Sequence, residues 1–144
     1  EVLTVNSPTE ELKNTCDIDT RSVAVIDGSK FKVPDFGFDS TATIKITERT
    51  PNSLKYESQS TQNGLAIFSE IYYPKGWVAL IDGKESEIIR ANYVLRALSI
   101  PSGKHTVEFR FQPDAYFVGN KITMASSWLM LLVVLGCVGW SVRK

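Results

Sequence analysis

The sequence is poor in the residues that most catalytic and metal sites require. It has one histidine, His105, and two cysteines, Cys16 and Cys137, in 144 residues. None of the three stands at ligand spacing from another, so no metal site is expected, and no cofactor motif is present. Cys137 lies inside a long apolar run and Cys16 outside it, so no disulfide is expected between them. No basic tract occurs either. Lys and Arg number 16 against 16 Asp and Glu, and their scatter excludes the electrostatic footprint of a nucleic-acid binder. Residues 1–14 have neither a basic start nor an apolar run and are not a signal peptide. The chain opens on Glu1, so its N-terminus is expected to be processed or to continue a longer protein. Internal repeats and low-complexity tracts are missing as well.

What is present is one domain's worth of short strands. Residues 7–15 predict a helix: Ser7 suits the N-cap, Pro8 the first helical position, and Glu10 closes a capping box three residues on. Its only apolar contribution is Leu12, which makes it scaffold. From residue 22 the pattern becomes β. Residues 22–26 are β-branched and stop at Asp27-Gly28, and the next stretch is irregular, broken by Pro34 and Gly37. Ala42, Ile44 and Ile46 alternate with polar residues, the signature of a half-buried strand. Asn63-Gly64 and Asp82-Gly83 are two-residue hairpin signals, and residues 92–100 read as a further strand. Past Pro101-Ser102-Gly103, the last strand sets Val107, Phe109 and Phe111 against Glu108, Arg110 and Gln112. About eight strands with a turn every eight to twelve residues predict an antiparallel β-sandwich over residues 1–118, with Trp77 and the phenylalanines between the sheets.

Residues 122–142 contain no charge. At ~1.5 Å per residue this 21-residue run spans about 31 Å, the thickness of a bilayer's hydrocarbon core, and predicts a single transmembrane helix. Gly136 and Gly139 would let another membrane helix, of this or a partner protein, approach closely. Arg143 and Lys144 follow the span directly, whereas only Lys121 precedes it closely. The positive-inside rule then puts the C-terminus in the cytoplasm and the sandwich outside a bacterial cytoplasmic membrane.

Several segments in order resemble the C-terminal end of the YfhO family of bacterial multi-pass membrane proteins. They are Asn52-Ser-Leu-Lys-Tyr56, the run from Gly64 through Phe-Ser-Glu-Ile-Tyr-Tyr-Pro-Lys-Gly to Trp77, Ile81-Asp-Gly-Lys-Glu85, residues 90–97, and Ile100-Pro-Ser-Gly-Lys-His105. The final helix, opening at Ala125-Ser126-Ser127, also resembles the family's last span, and the likeness covers roughly residues 50–135. The resemblance implies a polytopic protein similar to glycosyltransferases that use polyprenyl-linked sugars in glycosylating the cell envelope. In such enzymes the acidic catalytic residue sits in an early extracytoplasmic loop outside these 144 residues, so no catalytic role is carried over to any position. Val78 stands where many relatives have a lysine or another polar residue, which argues against phosphate binding at that corner.

Tyr72, Tyr73, Arg90, Asn92, Tyr93 and Arg96, with Trp77, are the candidate ligand-binding set. Aromatic rings stack on the C–H faces of sugars, while Arg and Asn bond hydroxyls or phosphate. The competing reading makes Trp77 and one tyrosine core residues and has Arg90 and Asn92 brace a loop. Glu70, or an Asp82–Glu85 pair, would be needed for acid–base chemistry, and a turn and an exposed strand already account for Asp82 and Glu85. His105 reads as a surface residue after a turn. The expected function is an extracytoplasmic accessory domain facing an envelope glycan or a lipid-linked sugar. The alternative is a membrane-anchored structural or interaction module that binds no sugar.

Overall fold

A computed structural model describes residues 1–33 and 36–143; Pro34 and Lys144, which the sequence reading used, lie outside the described residues. Two units are defined by their internal contacts, residues 1–111 and 112–144. The first unit opens with strand β1 (Val2–Val5), helix α1 (Pro8–Asp17) and strand β2 (Ala24–Asp27). β1 and β2 pair in parallel, and α1 supplies the crossover that a parallel pair requires. The capping expectation is met in a shifted form. Ser7 Oγ accepts from the Glu10 amide (3.3 Å), while the Glu10 carboxylate accepts from the amide of Asn6 (3.1 Å), one residue ahead of the cap. Leu12 is exposed; the residue that α1 buries is Glu11.

Eight further strands follow: β3 (Thr43–Thr50), β4 (Ser53–Ser60), β5 (Gly64–Ile71), β6 (Trp77–Ile81), β7 (Lys84–Ser86), β8 (Ile89–Ala91), β9 (Leu95–Ile100) and β10 (Gly103–Phe111). They form two antiparallel sheets, one ordered β3-β4-β10-β6-β7 and the other β5-β9-β8. The domain is thus mostly β, as expected, with the parallel β1–β2 pair as an addition. Two of the anticipated turns have a different role. Asn63-Gly64 does not close a hairpin, because β4 and β5 belong to different sheets; the same holds for Ser102-Gly103 between β9 and β10. Both carry the chain from one sheet to the other, and the Asn63 side chain fixes this corner by accepting from the Ser102 amide (3.0 Å). Asp82-Gly83 is a hairpin turn, with both residues in the left-handed region (φ 51° and 79°). A second left-handed pair, Asn92 and Tyr93 (φ 51° and 67°), turns β8 into β9 where the sequence suggested continuous strand.

One core cluster joins Leu54, Ala79, Val107 and Phe109 of the five-stranded sheet to Phe68, Leu98 and Ile100 of the three-stranded one. Tyr56, Phe68 and Phe109 meet edge-to-face at centroid distances of 4.8–6.2 Å, the geometry that ring quadrupoles favour. A second cluster packs Ile26 and Phe31 against Ile89, Ala91 and Ala97. Phe36 and Phe38, by contrast, are exposed. β3 departs from the half-buried reading: every residue in it is exposed, including Ile44 (41%) and Ile46 (50%). It is the edge strand of the wider sheet, pairs among the described residues only with β4, and carries a bulge between Ile46 and Glu48 that breaks its pleat.

The second unit holds helix α2 (Asp114–Val142), which starts earlier than the charge-free run. Within it, Val118–Ser141 has a mean hydropathy of 2.0 and is long enough to cross a bilayer. Three of its hydroxyls are satisfied on the helix itself: Thr123 donates to the Gly119 carbonyl (2.9 Å), and Ser126 and Ser127 both donate to the Thr123 carbonyl (3.0 and 2.8 Å). That pattern makes hydroxyls tolerable in hydrocarbon.

Candidate functional site

The six candidate residues fall into two groups, and most are held by the fold. Arg90 and Arg96 are cross-strand partners on β8 and β9, yet their guanidinium groups go to different places. Arg90 Nη2 donates to Glu11 Oε2 and lies 3.9 Å from Asp27 Oδ2, and both acids are fully buried. Glu11 Oε1 accepts from the Tyr93 amide (2.9 Å), so one buried carboxylate holds the Arg90 cation and a strained turn together. Hydrogen bonds from Ser29, through its hydroxyl and its amide, lower the Asp27 pKa against the opposing effect of burial, and the Lys30 and Arg90 charges add to the lowering. Asn92 is spanned between strands: its amide donates to the Val25 carbonyl, and its Oδ1 accepts from the Val25 amide, each at 2.8 Å. No cue in the sequence distinguished Glu11 from the other acidic residue in its helical turn.

Arg96 is 4% exposed. Its Nε donates to the Ile71 carbonyl (2.7 Å), and its guanidinium lies 4.2 Å from the Trp77 ring centroid and 5.4 Å from that of Phe109. Nη1 is buried without a hydrogen-bond partner. Desolvation is the largest influence on this group and lowers its pKa, with the Glu70 charge opposing the shift. Trp77 is partly buried at the margin of the core and packs against Phe111 (5.3 Å).

Tyr72 and Tyr73 divide. Tyr72 stacks edge-on against Phe31 (5.7 Å) within the second core cluster, and Tyr73 is exposed. Both line a cleft of about 180 Å³ whose wall also includes Trp77, Glu85, Ser86 and Glu87. Tyr73 is the exposed ring of this wall, since Tyr72 packs into the core and the Trp77 ring lies against Arg96; the carboxylates and hydroxyl of Glu85, Glu87 and Ser86 supply acceptors beside it. A second cleft, of about 380 Å³, runs between Trp77, Glu70, Arg49 and Thr50, with Arg49 and Glu70 4.0 Å apart.

Asp82 and Glu85 do not form a carboxylate pair: Glu85 lines the aromatic cleft, while Asp82 opens onto another, polar one with Lys45, Glu57, Lys104 and His105. Asp82 Oδ2 is 2.6 Å from His105 Nδ1, and Asp82 Oδ1 accepts from the Thr106 amide (2.9 Å). His105 Nε2 faces the Ser102 carbonyl at 3.1 Å. Both ring nitrogens therefore face acceptors, an arrangement that only the imidazolium satisfies fully. The Asp82 hydrogen bond, then the Ser102 carbonyl, raise the His105 pKa, and the same bond lowers that of Asp82. A histidine engaged at both nitrogens has no free base to offer a substrate. It serves as a clamp tying the Asp82-Gly83 hairpin to β10.

A family model described as bacterial membrane protein YfhO matches residues 37–123, more than half of the chain. The matched stretch contains every candidate residue from Tyr72 to Arg96 and leaves out Glu11 and Asp27. The chain matches none of the curated proteins and none of the solved structures.

Proposed function

The chain belongs to the YfhO family of bacterial membrane proteins, and on that premise we propose that residues 1–111 are an extracytoplasmic β-sandwich serving glycosylation of the cell envelope. In this reading the domain faces an acceptor glycan or a polyprenyl-linked sugar, α2 spans the cytoplasmic membrane, and the C-terminus is cytoplasmic. The aromatic–acidic cleft carries the proposal: Tyr72, Tyr73 and Trp77 lie beside Glu85, Ser86 and Glu87. A pyranose offers this wall a C–H face for the Tyr73 ring and hydroxyls for the carboxylates. Of the six candidates, Tyr72 and Tyr73 line the cleft; Arg90, Asn92, Tyr93 and Arg96 act on it through the frame that holds β8 and β9. No catalytic residue is assigned; the role proposed for the cleft is recognition and positioning.

The test is a sugar titration of the full chain in lipid nanodiscs, followed by NMR at the Ser86 amide. A panel of hexoses and aminosugars should include members that shift this resonance, and Tyr73→Ala and Glu87→Gln should abolish the shift without lowering the melting temperature. If no sugar moves it, the second reading replaces the first: a membrane-anchored β module that packs against a partner. The number of candidate side chains bonded within the fold supports that second reading.

A further inference from the structure

One end of the domain carries an exposed apolar surface that the core does not use. β10 ends there at Phe111, which pairs with Trp77 at the start of β6. The loop before Trp77 leads back to Ile71 at the end of β5, and Ile71 pairs with Leu95 just beyond the β8–β9 turn. At this end Ile71 is 71% exposed, Val94 49% and Tyr93 38%. The three belong to one surface, because the Tyr72 amide donates to the Val94 carbonyl (2.7 Å) and holds the end of β5 to the turn.

This surface is braced from beneath. Tyr93 sits in the left-handed region, where a bulky side chain is uncommon and has to be held by its surroundings. Its amide is anchored on buried Glu11, and Asn92 locks the preceding residue onto β2. A turn whose only task was to reverse the chain would take Gly at such a position. The construction keeps Tyr93 and Val94 at the surface.

The chain itself indicates what covers them. Phe111 closes the domain, and the apolar stretch fit to cross a membrane begins at Val118. Seven residues reach at most about 25 Å even when fully extended, and less where they are helical. Chain connectivity therefore keeps Phe111, at the end of the domain that bears Ile71, Tyr93 and Val94, within that distance of the start of the apolar stretch. Aliphatic side chains flanking a tyrosine suit the boundary between headgroups and acyl chains, where an amphipathic ring has one apolar and one wet side. We infer that Ile71, Tyr93 and Val94 form a lipid-contact surface that rests this end of the domain in the headgroup layer. The inference does not depend on sugar recognition in the cleft.

Depth measurement tests it directly. The full chain, carrying Cys16→Ser and Cys137→Ser, receives a nitroxide at Val94→Cys, at Ile71→Cys or at Lys104→Cys, the last being exposed near the start of β10. Each protein is reconstituted into vesicles of equal parts phosphatidylethanolamine and phosphatidylglycerol. Collision with oxygen relative to a water-soluble nickel chelate should be several-fold higher at positions 71 and 94 than at 104. Equal, water-like ratios at all three positions overturn the inference. Dipolar broadening at 94 that disappears on dilution with unlabelled protein also overturns it, since a second copy would then cover the surface. Should Val94→Cys disturb the turn, Ile71→Cys alone decides the matter, because its label sits outside the left-handed turn.

Discussion

Replacing Glu11 with alanine should loosen the domain more than any other change on its first helix. The carboxylate is fully buried and receives two hydrogen bonds, one from the Arg90 guanidinium and one from the Tyr93 amide. Removing one partner of a buried ion pair costs about 3–5 kcal/mol, mostly because the remaining charge is left without compensation. Arg90 keeps Asp27 at 3.9 Å, which places the expectation near the lower end, at about 3 kcal/mol. For a domain of this size that is a large share of a total stability of about 5–15 kcal/mol, and a fall in melting temperature on the order of 10–20 °C. Glu11→Gln keeps an acceptor for the Tyr93 amide and should fall between wild type and alanine. The assay is thermal unfolding of the full chain in detergent, with hydrogen exchange read at the β8–β9 hairpin. The double variant Glu11→Ala/Arg90→Ala supplies the control: if the two groups act as a pair, it should cost little more than the worse single change. A loss below about 1 kcal/mol for Glu11→Ala, or strict additivity in the double variant, would refute the reasoning.

His105 gives a pH dependence with a definite sign. Its folded pKa is raised, so its contribution is complete below the ordinary histidine value of about 6.5 and is lost as pH climbs through the folded value. Asp82 runs the other way: its folded pKa is lowered, and its contribution holds above about 3.9 and fades as pH falls through the folded value. Protection of the Thr106 amide, corrected for intrinsic exchange, should therefore drop on the alkaline side in wild type and stay flat in His105→Gln; a flat wild-type profile contradicts the clamp. Arg96→Met, which preserves contact with Trp77 while removing a desolvated charge, should unfold within about 1.5 kcal/mol of wild type. Arg96→Ala should lose about 2–4 kcal/mol to the cavity it leaves, and equal melting of the two variants would count against packing as the role of Arg96. For the proposed topology, Lys84→Cys in a Cys16→Ser and Cys137→Ser background should react with an impermeant maleimide in intact cells. Labelling only after lysis reverses the orientation.

Strand content and the apolar helix were legible because both depend on local chemistry. Alternation along β10 and the absence of charge from residue 122 to 142 survive in any context. Turn signals were legible as turns but not as connections: Asn63-Gly64 has the dihedral preferences of a hairpin, and which sheet receives the next strand depends on partners 36 residues away, Gly64 pairing with Ile100. β3 shows the limit of periodicity. Its alternation is real, but β3 is the edge strand of its sheet and none of its residues is buried. The candidate site was half readable for the same reason. Aromatic residues gathered before Trp77 flag a surface feature, and Glu85 and Glu87 join them only through the β6–β7 hairpin. The use of Glu11 to fix Arg90 and Tyr93 spans about 80 residues of sequence and leaves no mark in local pattern.

The position of β10 has a consequence for how this protein is made. It is the last of the described strands and the middle strand of its sheet, between β4 and β6. Until it arrives, β4 and β6 each present an open edge, and Phe109 is missing from the aromatic cluster at the centre of the core. A chain elongating from its N-terminus therefore cannot close the domain until residue 111 is available, a few residues ahead of the apolar stretch that begins at Val118. A stop before Gly103 leaves more than a shortened domain: it leaves two unpaired strands able to recruit a neighbour's edge.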